Sequence, residues 1–269
     1  MKVAVVTGGG RGLGRAFAQA LAAAGYAVAV LARTEAELAE TVALIERSGG
    51  RASAFPADVV DGKAVDRAFT EVERTLGPVD LLVNNAGVVG PLGPFAESDA
   101  SAWWRTLEVN LHGQMLCAHR ALPGMIARRR GRIVNIASGG GATMLPYFSA
   151  YVTSKTALIR FSECLAFEVK DHGIAVFAMG PGTVRTALSE YSLNSPEGRT
   201  WLPWFRDIFE EGRDLPPDRP AALLVALASG KADVLSGRYV YPPDDLDRLI
   251  EEAWEIEARK LYSLQVQRL

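Results

Sequence analysis

Thr7-Gly8-Gly9-Gly10-Arg11-Gly12-Leu13-Gly14 follows the apolar run Val3–Val6 and leads into Leu13, Phe17 and Leu21, which recur at helical spacing. Glycines let a strand turn into a helix within a few residues and let the backbone come close to a ligand. The helix that follows offers the positive end of its dipole to the turn, so a phosphate or pyrophosphate is the ligand this arrangement favours. A plain glycine turn between strand and helix is the alternative, and the rest of the chain decides between the two.

Working outward, short apolar segments alternate with amphipathic ones. The strands are expected at Val3–Val6, Ala27–Leu31, Ala52–Phe55, Leu81–Val83, Ile133–Ala137, Ile174–Ala178 and Arg238–Tyr241, each rich in apolar or β-branched residues. Helical stripes lie between them, such as Val65, Phe69, Val72 and Leu76 after Asp61, and Leu38, Val42 and Ile45 after a Thr34/Glu37 pair that reads as a capping box. This alternation predicts an α/β fold, a Rossmann-type doubly wound parallel sheet of about seven strands with helices on both faces. One nucleotide-binding domain is expected over residues 1–243. Within it, residues 188–218, with Trp201, Trp204, Phe205 and Phe209, read as an irregular excursion above the sheet. Residues 244–269 read as an amphipathic tail for packing or assembly, with Leu246, Leu249, Ile250, Ala253 and Ile256 on one side.

The 269 residues carry a net charge of −2, which gives no basic footprint for nucleic acid or an anionic membrane. Neither partner is expected, and no stretch approaches the roughly 18 apolar residues of a membrane span. The apolar start is cut short by Thr7 and its glycines, so no signal peptide is read there. Cys117 and Cys164 match no metal-ligand spacing and read as small buried hydrophobes in a reduced, cytoplasmic compartment. No metal site is expected, and His112, His119 and His172 are assigned surface or structural roles.

The glycine turn is spaced Thr-Gly-x-x-x-Gly-x-Gly rather than Gly-x-Gly-x-x-Gly, and here the chain resembles the short-chain dehydrogenase/reductase family. The resemblance recurs in order through Asp58-Val59, Asn84-Asn85-Ala86-Gly87, Asn110, Ser138, Tyr151, Lys155 and Pro181-Gly182-Thr183-Val184-Arg185-Thr186, covering about residues 1–190. It implies an NAD(P)-dependent oxidoreductase acting on a carbonyl or secondary alcohol. It also implies cofactor contacts at Gly8, Gly10, Arg11, Gly12, Leu13, Gly14, Arg33, Asp58, Val59, Asn85, Ala86 and Gly87, and at Tyr151, Lys155, Pro181, Gly182, Val184 and Thr186.

Tyr151 and Lys155 are four apart on an expected helix, so both project from one face. A free phenol has a pKa of about 10, too high for a good base at neutral pH, and an adjacent ammonium would lower it. Ser138 ends the fifth strand, at the edge where open α/β sheets bind ligands, and is expected to orient a substrate oxygen. By resemblance, Lys155 also holds the nicotinamide ribose, and Asn110 helps place a proton-relaying water.

The second strand ends Val30-Leu31-Ala32-Arg33-Thr34, with no acidic residue for a ribose 2′-hydroxyl. Arg33 and Arg11 are expected to clamp a 2′-phosphate, which favours NADP(H) and leaves NAD(H) as the alternative if both are merely solvated. Leu92–Phe95, Met144–Phe148 and the excursion suggest an apolar or aromatic substrate. Arg185 reads as a salt-bridged surface residue. After Ser236-Gly237-Arg238 the chain departs from the family with Tyr239-Val240-Tyr241-Pro242-Pro243-Asp244-Asp245, which puts the usual tetramer contacts in doubt. Relatives pair through helices corresponding to about 102–127 and 150–170, so a homodimer or homotetramer is expected. A non-catalytic NADP(H)-binding sensor stays open as an alternative. A sugar-nucleotide epimerase or dehydratase is opposed by the glycine spacing and the length.

Overall fold

The first strand shows how the sheet is built, because all five of its side chains are buried yet serve opposite faces. In the computed structural model, which describes residues 1–266, β1 (Val3–Thr7) sends Ala4 and Val6 into one core and Val3 and Val5 into the other. Period-two alternation in a strand covered on both sides demands such a continuous apolar run. The same holds for β2 (Ala27–Ala32), β4 (Val79–Asn84), β5 (Gly131–Ile136) and β6 (Ile174–Met179). β3 (Arg51–Pro56) and the short β7 (Tyr239–Val240) lie at the two edges.

All pairings are parallel, in the order β3-β2-β1-β4-β5-β6-β7. The chain winds outward from β1 to β3 and then returns to the other side of β1 at β4. A crevice therefore opens between the carboxyl ends of β1 and β4, where doubly wound sheets take their ligands.

One core packs α1 (Gly12–Ala23), α2 (Glu35–Arg47) and α11 (Asp218–Ser229) on the sheet through Phe17, Leu21, Leu38, Ile45, Leu224 and Leu227. The other packs α3 (Gly62–Thr75), α5 (Gly113–Arg128) and α7 (Ser149–Val169) through Phe69, Val72, Cys117, Met125 and Leu165. Between α4 (Ala100–Leu107) and α5 the helix widens into a π-turn, Glu108–His112. A one-turn helix, α6 (Gly139–Ala142), follows β5.

Three expectations are corrected. The Thr34/Glu37 capping box does not form: Thr34 makes no side-chain cap, and Glu37 turns to Arg11 at 3.3 Å. Asp61, by contrast, caps α3 through the amides of Lys63 and Ala64. Residues 188–218 are not irregular but form α8 (Ala187–Asn194), α9 (Pro196–Trp201) and α10 (Trp204–Glu210), the first two capped by Thr186 and Ser195. Cys164 is exposed on α7, and only Cys117 is buried. The tail supplies α12 (Leu246–Glu251) and α13 (Ala253–Ala258), whose Leu249 and Ile256 enter the first core beside the partly buried Leu246, Ile250 and Ala253. Residues 267–269 of that tail lie outside the described residues.

Candidate active site

A cleft of about 1100 Å³ opens at the carboxyl ends of the strands. The glycine turn makes its floor. Gly8 and Gly12 have φ of +64° and +52°, a left-handed backbone that glycine adopts without cost. At Gly14 a Cβ would stand 2.0 Å from the Gly8 carbonyl oxygen, so only glycine lets α1 start this close to the turn. Thr7 and Asn85 lock the turn to the loop after β4. The Thr7 hydroxyl accepts from the amides of Asn85 and Ala86 at 2.9 and 3.0 Å, and Asn85 Nδ2 donates to the Thr7 carbonyl at 2.8 Å.

The first turn of α1 has no side-chain cap and no acidic residue, so its amides and dipole face the cleft uncompensated. That observation fits the pyrophosphate of a dinucleotide. Every cofactor residue named from the sequence lines this cleft, from Gly8 through Asp58, Val59 and Gly87 to Pro181, Gly182, Val184 and Thr186.

Arg33 lies at the end of β2 and enters no ion pair among the described residues. Arg11 shares the wall, paired with Glu37. Asp58 is more committed than expected: its carboxylate accepts from the Val60 amide at 3.2 Å and pairs with Arg105 at 3.3 Å. Arg105 and Glu37 are wall residues that the sequence reading missed. Both come from helices whose periodicity marks an exposed face without saying which cavity it borders.

Ser138, Tyr151 and Lys155 converge where β5, α6 and α7 meet. Gly141 brings α6 onto α7, since a Cβ there would stand 2.7 Å from the Lys155 carbonyl carbon, and Thr156 fastens the contact by donating to the Gly141 carbonyl at 2.9 Å. Ser138 accepts from the Gly140 amide at 3.2 Å. Tyr151 stacks on Phe148 with ring centroids 4.6 Å apart. Lys155 Nζ donates to the Ile136 carbonyl at 2.7 Å and sits 5.8 Å from the Tyr151 ring centroid.

The electrostatics differ from the expected tuning. Burial raises the Tyr151 hydroxyl above its ordinary pKa, and the Ser138 side chain opposes the rise. Lys155 is itself drawn down to about 8 by burial, with its Nζ donating to the Ile136 carbonyl.

Asn110 stands behind the cleft wall. It is fully buried in the π-turn, with Oδ1 accepting from the Val88 amide at 2.8 Å and Nδ2 donating to the Val88 carbonyl at 2.9 Å and to Ser154 Oγ at 3.0 Å. Its side chain is thus spent on holding the Val88 loop. Gly87 separates it from the lysine: a Cβ there would meet Asn110 Oδ1 at 3.3 Å and Lys155 Nζ at 3.7 Å. The buried chain Asn84–Asn135–Ser162, joined at 2.9 and 2.8 Å, supports the same region and was not foreseen.

Beyond Tyr151 the wall turns apolar, with Leu145, Phe148, Leu188, Trp204 and Phe205. Other apolar and aromatic residues named from the sequence do not face it. Phe95, Met144 and Tyr147 are exposed, and Trp201 packs on Tyr147 at 4.7 Å and beside Gly93, fastening the excursion to the loops below. Arg185 pairs with Glu190 at 2.7 Å and lies over the Phe209 ring at 4.5 Å. Tyr239, Tyr241, Asp244 and Tyr262 complete the wall from the C-terminal segment. The alternation of Tyr239 and Tyr241 was the one signal that both face one side.

Comparison with known proteins agrees with this geometry. The family of short chain dehydrogenases matches residues 2–196, and the chain belongs to it. It is 36% identical over 258 residues to a short chain dehydrogenase of Pseudocercospora fijiensis, covering 94% of this chain and 83% of that protein. The solved structure of actinorhodin polyketide ketoreductase with NADPH superposes with a TM-score of 0.81 at 30% identity, covering 89% of this chain and 95% of that one. Gluconate 5-dehydrogenase from Burkholderia cenocepacia, in complex with NADP and tartrate, gives 0.80 at 28% identity, covering 89% and 92%. The chain is an oxidoreductase with a nicotinamide-binding Rossmann fold, of the class that acts on CH–OH and C=O groups. No helix among the described residues is long and apolar enough to cross a membrane.

Proposed function

We propose that the chain is an NADP(H)-dependent oxidoreductase that interconverts a carbonyl compound and a secondary alcohol, with Tyr151 as the acid and base at the substrate oxygen. The observation that carries this is the convergence of the Ser138 and Tyr151 side chains and the Lys155 ammonium on one cleft whose other end is an uncapped helix terminus. When bound, the nicotinamide supplies or accepts a hydride at its C4. Tyr151, protonated at neutral pH because burial raises it, donates its proton to the carbonyl oxygen in reduction and recovers it in oxidation. Ser138 holds that oxygen in line with the phenol. Lys155, its Nζ fixed by the Ile136 carbonyl, would hold the nicotinamide ribose and would favour the phenolate as charge develops on Tyr151. Asn110 positions the Val88 loop beside Lys155.

NADP(H) is favoured over NAD(H) by Ala32 in place of an acid, and by the unpaired Arg33 on the wall. Arg11 supports it as well, because an exposed ion pair such as Arg11–Glu37 is weak and readily exchanged for a phosphate. The test is a panel of ketones and secondary alcohols assayed with both nicotinamides, in the chain and in Tyr151→Phe. The variant should lose about 10²- to 10⁴-fold in kcat while still binding NADPH. Undiminished turnover in Tyr151→Phe overturns the proton-transfer role, and NADPH binding without turnover of any compound would point to a sensor.

A further inference from the structure

The far end of the cleft is built by the C-terminal segment around β7. Tyr239 reaches it because a glycine makes room: a Cβ at Gly180 would stand 2.0 Å from the Tyr239 hydroxyl. Tyr241 lines the cleft beside it. Asp244 lies with them, half-buried, its Oδ2 accepting from the Tyr241 amide at 2.8 Å. Nothing else donates to that carboxylate among the described residues. Burial raises its carboxyl above the usual range, and it helps to raise both Tyr239 and Tyr262, which places the three groups within each other's field.

Charge divides the cleft. Arg11, Arg33 and Arg105 border the end made by the glycine turn and β2, together with Glu37 and Asp58, which pair with Arg11 and Arg105 and leave Arg33 in excess among the described residues. From Ile136 onward, Lys155 and Asp244 carry the only formal charges lining the wall among the described residues, and the ammonium of Lys155 is held by the Ile136 carbonyl. Arg185 pairs with Glu190 and Arg248 with Glu252 at 2.9 Å, and neither arginine lines the wall. An anionic group arriving beside Asp244 meets a carboxylate, and the one cation lining this part of the wall, Lys155, is anchored to the Ile136 carbonyl. A hydroxyl or an ammonium meets an acceptor with room to spare.

We propose that Asp244 determines specificity at this end, accepting a hydrogen bond from a neutral or cationic donor on the substrate and turning away substrates that carry a carboxylate or phosphate there. The proposal rests on the oxidoreductase reading and adds a substrate class. That class is a carbonyl compound or alcohol with an apolar or aromatic body along Phe148, Leu188, Trp204 and Phe205, and with a hydroxyl or amine remote from the reacting carbon. A site that supplies a partly buried acceptor discriminates in this way, because a like charge is repelled and an analogue lacking the donor leaves the carboxylate unpaired.

Asp244 also closes a turn, its amide donating to the Tyr241 carbonyl at 2.9 Å, so the test must separate shape from charge. Asp244→Asn keeps an acceptor for the Tyr241 amide while removing the charge and turning one carboxylate oxygen into an amide donor. Binding of the para-hydroxymethyl, para-aminomethyl and para-carboxylate derivatives of acetophenone is measured by calorimetry on the full chain saturated with NADP⁺. The chain should bind the first two at least about tenfold more tightly than the carboxylate, and Asp244→Asn should narrow that ratio to about threefold or less. Equal affinities in the unmodified chain, no binding by any of the three, or the same ratio in the variant overturns the proposal. Turnover of all three with equal efficiency sinks this inference and leaves the oxidoreductase reading standing. Charge-dependent binding without turnover does the reverse.

Discussion

The two ends of the cleft are made of different material. At the glycine turn the wall is mostly backbone: Gly8, Gly12 and Gly14 shape it because a side chain would collide or strain, and Asn85 ties it to β4 through main-chain carbonyls. At the substrate end the wall is side chains, gathered from α6–α7, from α8–α10 and from the segment around β7. A backbone wall tolerates almost no substitution and recognises what all dinucleotides share. A side-chain wall can be rewritten residue by residue without disturbing the sheet beneath it.

The contrast can be broken at its rigid end first. Gly14→Ala places a methyl against the Gly8 carbonyl, and NADPH affinity should fall by about 100-fold or more in a fluorescence titration, with a lowered melting temperature. Wild-type affinity in that variant would remove the steric account of the turn. Arg33→Asp should weaken NADPH by about 10- to 100-fold and NADH far less, since it exchanges a charge-assisted donor for a like charge; equal losses for both cofactors would refute the clamp.

The middle of the cleft is probed by pH. Lys155 keeps its charge below about 8, and Tyr151, raised by burial, keeps its proton through the same range. Reduction should therefore be level below about pH 8 and decline above it, by at most about tenfold per unit, as the ammonium is lost, and a rise above that pH would contradict the roles assigned here. The smallest effect is expected at the soft end. Trp201→Ala removes the stack on Tyr147 that fastens the excursion, and KM for ketones should rise by a few fold with NADPH affinity unchanged, whereas a matching loss in NADPH affinity would show that the two ends are not separable.

This difference in material also explains what could be read in advance. The strands and the glycine turn were legible because burial on both faces forces unbroken apolar runs and because sterics force glycine, and both leave a mark on adjacent residues. Tyr151 and Lys155 share a helix face for the same local reason. The electrostatic relation between them was not legible: the Ile136 carbonyl that holds the ammonium comes from β5, and burial, which no spacing encodes, sets the direction of both shifts. Glu37 read as a capping residue because Thr34 precedes it by three, but Arg11 from another helix end claims its carboxylate. The helices of the excursion were missed since each is only six to eight residues long, too short for a periodic stripe. Asp244 was invisible as a wall residue because the cavity it borders is assembled from parts of the chain a hundred residues away.

The C-terminal segment has one more effect, at the rim of the sheet. A parallel sheet ends in strands whose outer amides and carbonyls invite another chain to add on, a common route to aggregation. Here the outer amide of Tyr239 is taken by the Tyr262 carbonyl at 2.8 Å, and at the opposite rim β3 closes with Pro56, which has no amide to offer. The residues that furnish the far wall of the cleft also guard the sheet against growing by self-assembly, so selection for a new substrate in this segment works under a colloidal constraint as well as a chemical one.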